Sequence, residues 1–409
     1  MKILLVNCVY KKGSTGKILN DLKNSYISNG HKCLVAYGRG GRTIEENSYK
    51  FCTEVEAKFQ AVLTRLGALQ YGGNYLSTLR LIRYIKKNRP DVVHLHCING
   101  YCVNIYRLLD FLGTHHFPTV VTHHSEFFYT GSCGHAFDCI QFTLSEGCQS
   151  CPQRRTATQC LWRDTSHLGW ERMKKVFHSF DVSALVFTSV SPWLKNRALL
   201  SPIVEGYENI IVYNGVDTNV FHRYPIEALT FENNFINERG KKVLHVTAAF
   251  SDDPTSPKGG RFVIELSKML PQYEFVVAAS LIDVSSTLPS NLIVIGKVDS
   301  QINLAKLYSS ADLTVITSKR ETYSMVCAES LCCGTPVVGF KSGGPESISL
   351  SEFSDFADYG NIEQMVEKCK NMLERKYDRT KIANMASLRY GKNKMAEKYL
   401  AIYHSLISH

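Results

Sequence analysis

Short apolar runs of strand length alternate with helix-length amphipathic runs, and the whole pattern occurs twice along the chain. That doubling constrains the fold more than any single motif. In the first half the spacing predicts strands at 2–8, 32–37, 92–96, 119–123, 184–189 and 210–213, with helices between them, among them 15–28 and 170–178. A turn-rich patch, Asn214-Gly215-Val216-Asp217, leads into a polar segment that runs to Lys242. The pattern restarts with strands at 243–248, 274–279, 292–295, 313–316 and 336–340, and helices that include 259–270 and 304–311. A last helical stretch, 395–406, has no strand after it. Such alternation builds parallel sheets with helices on both faces. The expected fold class is α/β: two Rossmann-like doubly wound domains with a ligand cleft between their strand ends. The expected bounds are 1–215 for the first domain, with a cysteine-rich insertion at about 125–165, and 216–390 for the second; 391–409 is a helix expected to pack back on the first.

Composition narrows the setting. The 409 residues are 44% hydrophobic and 21% charged, an ordinary globular balance. No run approaches the ~18 uninterrupted apolar residues of a spanning helix. The apolar start, Met1 to Tyr10, is short and reads as a first strand rather than a secretory signal, so a cytoplasmic protein is expected. Most of the 14 cysteines sit singly in apolar runs (Cys8, Cys33, Cys97, Cys327, Cys369), as small hydrophobes in a reducing compartment do. The net charge is +10, with Arg80, Arg83, Lys86 and Lys87 on one amphipathic helix. That basic face reads either as a solvated surface or as a contact for anionic lipid at the inner face of a membrane. No recognition motif accompanies the charge, so a nucleic-acid partner is not expected.

Glu321 and Glu329, with seven residues between them, lie just after the predicted strand at 313–316. Glu321 falls in the loop at the strand's carboxyl end and Glu329 about two turns into the next helix, which Gly334 ends. That edge is where open α/β sheets bind ligands. A carboxylate there accepts hydrogen bonds from sugar hydroxyls, and the helix N-terminus offers N–H groups to a phosphate. Lys258 precedes Gly259-Gly260 just after the first strand of the second half, where a cation can pair with a pyrophosphate. Gly13-Ser14-Thr15-Gly16-Lys17 follows the first strand and opens a helix; it matches neither a P-loop nor G-x-G-x-x-G, and alone reads as a capped turn or a phosphate site. His94 and His96 end the third strand and His124 ends the fourth, each readable as a satisfied core histidine or as a ligand contact; His123 faces the opposite way from His124 by strand alternation. Cys133, Cys139, Cys148 and Cys151 have a final C-x2-C and lie in the insertion, which otherwise lacks a core. They are expected either as free thiols or as ligands of one structural zinc. No carboxylate pair is spaced as in a glycosidase.

The segment from Glu321 to Glu329 resembles the E-x7-E signature of retaining glycosyltransferases with the GT-B architecture, family four. Several N-terminal pieces are similar to the colanic-acid, capsule and O-antigen branch of that family, so the likeness covers nearly the whole chain. They include Asp91-Val92-Val93-His94-Leu95-His96, the tract from His124 through Cys148-Gln149-Ser150-Cys151-Pro152, Ser191-Pro192-Trp193-Leu194, and Asn214 to Phe221. The resemblance implies a nucleotide-sugar donor, a growing lipid-linked glycan as acceptor, and no cofactor for catalysis. It implies that Glu329 holds the ribose and Glu321 the transferred sugar, within a donor site that also takes in Thr322, Tyr323, Ser324 and Met325. It further implies that Gly13 and Ser14 flank the donor diphosphate, that Lys258 binds it, and that His124 contacts the donor sugar; the expected catalytic set is His124, Glu321 and Lys258. Two departures stand out. Thr322-Tyr323-Ser324 replaces the usual Gly-Phe-Gly or Ser-Phe-Gly, which narrows how closely a ligand approaches the chain. The Arg that normally precedes the Lys is missing, leaving Lys258 alone or compensated by Arg261 or Lys297.

Two other functions fit parts of the sequence. A nucleotide-sugar epimerase of similar bilobed fold would turn over the donor with no acceptor. A zinc-dependent nucleic-acid-binding protein would account for the charge and the cysteines, and predicts salt-sensitive affinity for DNA or RNA.

Overall fold

A computed structural model describes residues 1–157, 160–225 and 240–408. The chain divides into two compact units: unit 1 is Met1–Tyr213 with Met395–His409, and unit 2 is Asn214–Lys394. Part of the polar segment expected before Lys242, at 226–239, lies outside the described residues.

Unit 1 begins with β1 (Lys2–Asn7), α1 (Gly13–Ser28), β2 (Lys32–Tyr37), β3 (Ser48–Lys50), α2 (Glu54–Arg65), α3 (Tyr75–Asn88) and β4 (Val92–Leu95). It continues with α4 (Ile105–Thr114), β5 (Thr119–His123), α5 (Ser166–Phe177), β6 (Leu185–Ser189), α6 (Pro192–Ala198) and β7 (Asn209–Ile211). The strands form one parallel sheet in the order β3-β2-β1-β4-β5-β6-β7. Its central strands are buried on both faces, as their unbroken apolar runs require.

Unit 2 comprises β8 (Lys242–Ser251), α7 (Gly260–Met269), β9 (Glu274–Asp283), β10 (Leu292–Gly296), α8 (Gln301–Ser310) and β11 (Leu313–Ile316). After these come α9 (Met325–Cys332), β12 (Val337–Phe340), α10 (Gly344–Ile348), β13 (Ser354–Ala357), α11 (Ile362–Glu374) and α12 (Arg379–Tyr390), and the unit ends at Lys394, in the first turn of α13 (Lys392–Ile407). Its parallel sheet has the order β10-β9-β8-β11-β12-β13. In each sheet the winding reverses once, between β1 and β4 and between β8 and β11, and these are the switch points where such sheets bind ligands.

From Met395 onward α13 belongs to unit 1, and Tyr399, Ile402 and Tyr403 join the core formed by Ile3, Leu19, Val35 and Val120. A polar seam crosses that core. His94 Nδ1 lies 2.5 Å from the Tyr403 hydroxyl and His94 Nε2 lies 2.6 Å from Thr122 Oγ1. Thr122 Oγ1 in turn bonds Thr188 Oγ1 at 2.7 Å and the Tyr399 hydroxyl at 3.0 Å. With both ring nitrogens engaged inside the core, His94 is a structural histidine.

Two strands were not expected from the sequence. β3 and β13 are short, lie at sheet edges and are only partly buried, so neither carries the continuous apolar run that marks the central strands. β8 and β9 run longer than their apolar cores, pairing on through Ser251 and Asp283. Among the described residues no helix is long and apolar enough to cross a membrane.

Candidate active site

The switch point of unit 2 gathers three loops around one carboxylate. The loop after β8 is pinned to the end of β11: Lys319 N–H donates to Pro257 O at 2.8 Å and Thr317 Oγ1 to Lys258 O at 3.0 Å. Gly259 makes this approach feasible, with φ of +66° and a position where any Cβ would fall 2.2 Å from Thr317 O. Glu321 is fixed from the other side, its N–H donating to Ser342 O at 3.0 Å and its carbonyl accepting from Gly344 N–H at 2.7 Å. Gly344 is also irreplaceable, since a Cβ there would meet Tyr323 N at 2.5 Å. Glu346 closes the turn by accepting from the N–H groups of Gly343 (2.7 Å) and Ser342 (3.1 Å).

This scaffold sets Lys258 Nζ 2.7 Å from Glu321 Oε1, with both side chains partly exposed. An ammonium carries three donors, so a lysine bonded to one carboxylate still has N–H groups to offer a phosphate oxygen. Arg261 lies over the Phe262 ring at 4.5 Å and Lys297 pairs with Asp299 at 2.5 Å. Neither shares the Lys258–Glu321 contact.

Beyond Glu321, Tyr323 is buried and its hydroxyl donates to Asn214 O at 2.9 Å, so its ring anchors the loop. Ser324 caps α9, with Oγ accepting from Cys327 N–H at 3.3 Å. Its φ of +81° lies in the region that favours glycine. Thr322 and Met325 flank it, both partly buried. Glu329 projects from α9, and its Oε2 accepts from the Tyr308 hydroxyl of α8 at 3.3 Å. Tyr308 is fully buried, and burial together with the Glu329 charge holds its phenol well above the ordinary range. His245 on β8 is also buried; Nδ1 sits 3.0 Å from Val315 O, and burial with the nearby Lys258 cation pushes its pKa down to about 4. Nothing in the spacing marks Tyr308 as a partner of Glu329 or His245 as a neighbour of Lys258.

In unit 1 the corresponding edge carries Gly13, Ser14, His96 and His124. Cys8 N–H donates to Cys97 O at 2.6 Å, tying the loop after β1 to the end of β4. Asn7 Nδ2 bonds Val9 O at 2.7 Å and Thr15 Oγ1 at 3.3 Å, so the loop curls onto the start of α1. Gly13 and Ser14 are exposed in its first turn, and among the described residues no side chain caps that end. A first turn of this kind suits an anion.

His96 Nδ1 lies 2.9 Å from His124 Nε2, and both rings are buried. Burial holds both neutral, pushing the His124 pKa down to about 4 and that of His96 well below the ordinary range. His96 stacks on His94, with centroids 3.9 Å apart, and among the described residues its Nε2 has no hydrogen-bond partner. A buried imidazole nitrogen left open is a natural contact for a hydroxyl. His123 turns the other way, onto Ser189 and the Phe187 ring.

The cysteine-rich insertion is held by a contact that sequence reasoning missed. Arg197 of α6 lies 2.7 Å from Oε1 of Glu126, which is fully buried. Glu126 also accepts from Ala136 N–H at 2.7 Å and the Tyr129 hydroxyl at 3.2 Å. Cys133, Cys139, Cys148 and Cys151 are all unpaired, and Cys148 and Cys151 each lie near enough to Cys133 and Cys139 for their charges to be felt. Burial is the larger cause of the rise in the Cys148 thiol pKa, to about 12. Cys148 Sγ accepts from Gly131 N–H at 3.2 Å. Among the described residues no three His, Cys, Asp or Glu side chains are arranged around a point that would hold a metal ion.

The fold and this site define an α/β enzyme of the GT-B class, a glycosyltransferase. Residues 16–220 match the model for Glycosyltransferase Family 4 and residues 284–389 that for Glycosyl transferases group 1; the chain belongs to glycosyltransferase family 4. WcaC of Escherichia coli (strain K12), named for colanic acid biosynthesis and glycosyl transfer, is 22% identical over 99% of this chain and all of that protein. The sucrose-phosphate synthase of Thermosynechococcus elongatus superposes with a TM-score of 0.67 at 14% identity, over 100% of this chain and 99% of that one. HepE of Anabaena, in complex with UDP-glucose, superposes with a TM-score of 0.63 at 15% identity, over 99% and 100%. Family membership replaces the epimerase and nucleic-acid-binding readings with glycosyl transfer.

Proposed function

We propose that this enzyme is a retaining hexosyltransferase that moves a sugar from a nucleotide-sugar to a growing lipid-linked glycan in surface-polysaccharide biosynthesis. The Lys258–Glu321 pair at the switch point of unit 2, one loop before Glu329, carries this reading. The UDP-glucose bound by HepE and the colanic-acid naming of WcaC support the donor and the pathway class. Glu329 accepts the ribose hydroxyls and Lys258 neutralises the diphosphate. Glu321 accepts hydrogen bonds from the sugar, and neutral His124, backed by His96, contacts its hydroxyls. Gly13 and Ser14 offer N–H groups to the diphosphate. No protein nucleophile is needed. The C–O bond to the leaving diphosphate breaks as the acceptor oxygen attacks the same face, and the diphosphate takes the acceptor's proton. The protein supplies positioning and charge stabilisation. Calorimetry with UDP and GDP tests the donor site: Glu329→Ala should lose most of the affinity for whichever nucleotide the unaltered enzyme binds. Unchanged affinity would remove Glu329 from the ribose.

In the same reading, Cys133, Cys139, Cys148 and Cys151 are the ligands of one structural zinc that draws the insertion together. The final C-x2-C and the four free thiols within one insertion support the assignment, and binding would have to draw the sulfurs closer together than they stand here. Elemental analysis of purified protein should find about one zinc per chain, absent from Cys148→Ser. Folded protein without zinc would count against it.

A further inference from the structure

Helix α2 is built inside out. Its buried positions are Ala57, Gln60 and Thr64, small or polar residues. Its exposed stripe, at three- and four-residue spacing, is Val55, Lys58, Phe59, Val62, Arg65 and Leu66. A helix that only packs on its own domain turns its apolar stripe inward. The N-terminal end of α3 extends the patch, with Tyr75 and Leu76 exposed, and these two line a groove of about 440 Å³ together with Phe59, Leu63 and Leu69. The segment after Cys160 completes it. Leu161 N–H donates to Arg65 O at 3.1 Å, and Trp162 next to it is 77% exposed.

The exposed charges bordering this surface are mostly cationic. Lys58 and Arg65 share the exposed face of α2, Arg107 lies over the Tyr75 ring at 5.7 Å, and Arg163 borders Gly67. Glu56 lines the groove, but its carboxylate is taken by Arg80 at 2.9 Å and by Thr53 N–H. Asp110, one turn from Arg107 and exposed, is the single carboxylate of α4. Apolar and aromatic side chains rimmed by cations are the composition that enters the interfacial layer of an anionic bilayer.

We propose that α2, the start of α3 and the Leu161–Trp162 segment form a docking surface for an anionic lipid bilayer, with Phe59, Leu76 and Trp162 entering the headgroup layer. This differs from the basic stripe that the sequence suggests. Arg80 is engaged by Glu56, and Lys86 lies over the Phe111 ring at 5.3 Å. The surface is tied to the sheet edge that bears His96. Asn104 Nδ2 donates to Gly72 O at 2.6 Å and Ser77 Oγ to Cys102 O at 2.7 Å, joining the groove to the segment after β4.

The test is flotation of the full chain with vesicles of phosphatidylcholine containing phosphatidylglycerol, and with phosphatidylcholine alone. No donor or acceptor is present, so the outcome does not depend on the proposed reaction. The protein should float with the anionic vesicles at low salt. Phe59→Ser with Trp162→Ser should reduce binding at least about tenfold, and Lys58→Glu with Arg65→Glu should do so as well, at about fivefold per charge. Arg83→Glu with Lys87→Glu should change binding less than either pair. These side chains are exposed, and a circular-dichroism melt establishes that each variant is folded. Failure to float, flotation indifferent to the Phe59/Trp162 pair, or a concentration-dependent dimer abolished by Phe59→Ser would overturn the proposal.

Discussion

Lys258 Nζ and Glu321 Oε1 are 2.7 Å apart, so the cation that would meet a diphosphate is already held by the carboxylate that would meet the sugar. The two groups are therefore energetically coupled. Lys258→Ala should weaken the nucleotide diphosphate by about 10- to 100-fold, the range of one charge-assisted contact. Glu321→Ala releases the ammonium, so nucleotide affinity should hold or rise while turnover falls. Calorimetry beside a transfer assay separates the two. Equal loss of nucleotide affinity in both variants would mean that the carboxylate serves only to position the lysine.

Ser324 should be a place where stability can be raised. A non-glycine residue held at positive φ costs on the order of 1–3 kcal/mol, whereas replacing a serine cap by glycine costs only a few tenths. Ser324→Gly should therefore stabilise the protein by about 1 kcal/mol, read as a higher urea midpoint with unchanged slope. A lower midpoint would show that the Oγ contact to Cys327 N–H outweighs the backbone strain.

Burial depresses the histidines at both sheet edges, His124 and His245 to about 4 and His123 to about 3. The folded state thus binds protons less readily than the unfolded chain. Their contribution to stability is complete above the unfolded value of about 6.5 and is lost as pH falls toward 4. Urea unfolding at pH 8, 7, 6 and 5 should give a flat region followed by a decline beginning near pH 6.5. His124→Gln should make that decline shallower by close to one proton. A slope unchanged by this variant would mean that His124 titrates normally in the folded protein.

The Glu126–Arg197 pair should be the most sensitive point of the insertion. Breaking a buried pair by removing one partner costs about 3–5 kcal/mol, because the other charge is stranded. Arg197→Met should lower the melting temperature more than Arg197→Met combined with Glu126→Leu. The reverse order would show that Glu126 is satisfied by Ala136 N–H and the Tyr129 hydroxyl alone.

Much of the fold was legible because central parallel strands must be continuously apolar. The strands at 32–37, 119–123 and 313–316 fall where their runs predict. Edge strands β3 and β13 escaped notice because one open side relaxes that demand. The acidic pair was legible as a loop followed by a helix. Its partners were not: Lys258 and Glu321 meet through a shared sheet edge, and Tyr308 reaches Glu329 from the preceding helix. Pairings of this kind are set by topology rather than by local spacing. The contact between His96 and His124 also arises only once β4 and β5 lie side by side. The outward apolar stripe of α2 has helical period, but periodicity alone does not say which face is buried.

The seam beneath the first sheet also orders events during synthesis. Unit 2 is one uninterrupted stretch, Asn214–Lys394, and can close as soon as it leaves the ribosome. Unit 1 cannot: the hydroxyls of Tyr399 and Tyr403 that meet Thr122 and His94 are translated after the whole of unit 2. Until then a buried imidazole lacks one of its partners, and the core side chains that α13 covers stay open to water. The nascent chain therefore emerges with all of its second unit made before the last piece of its first.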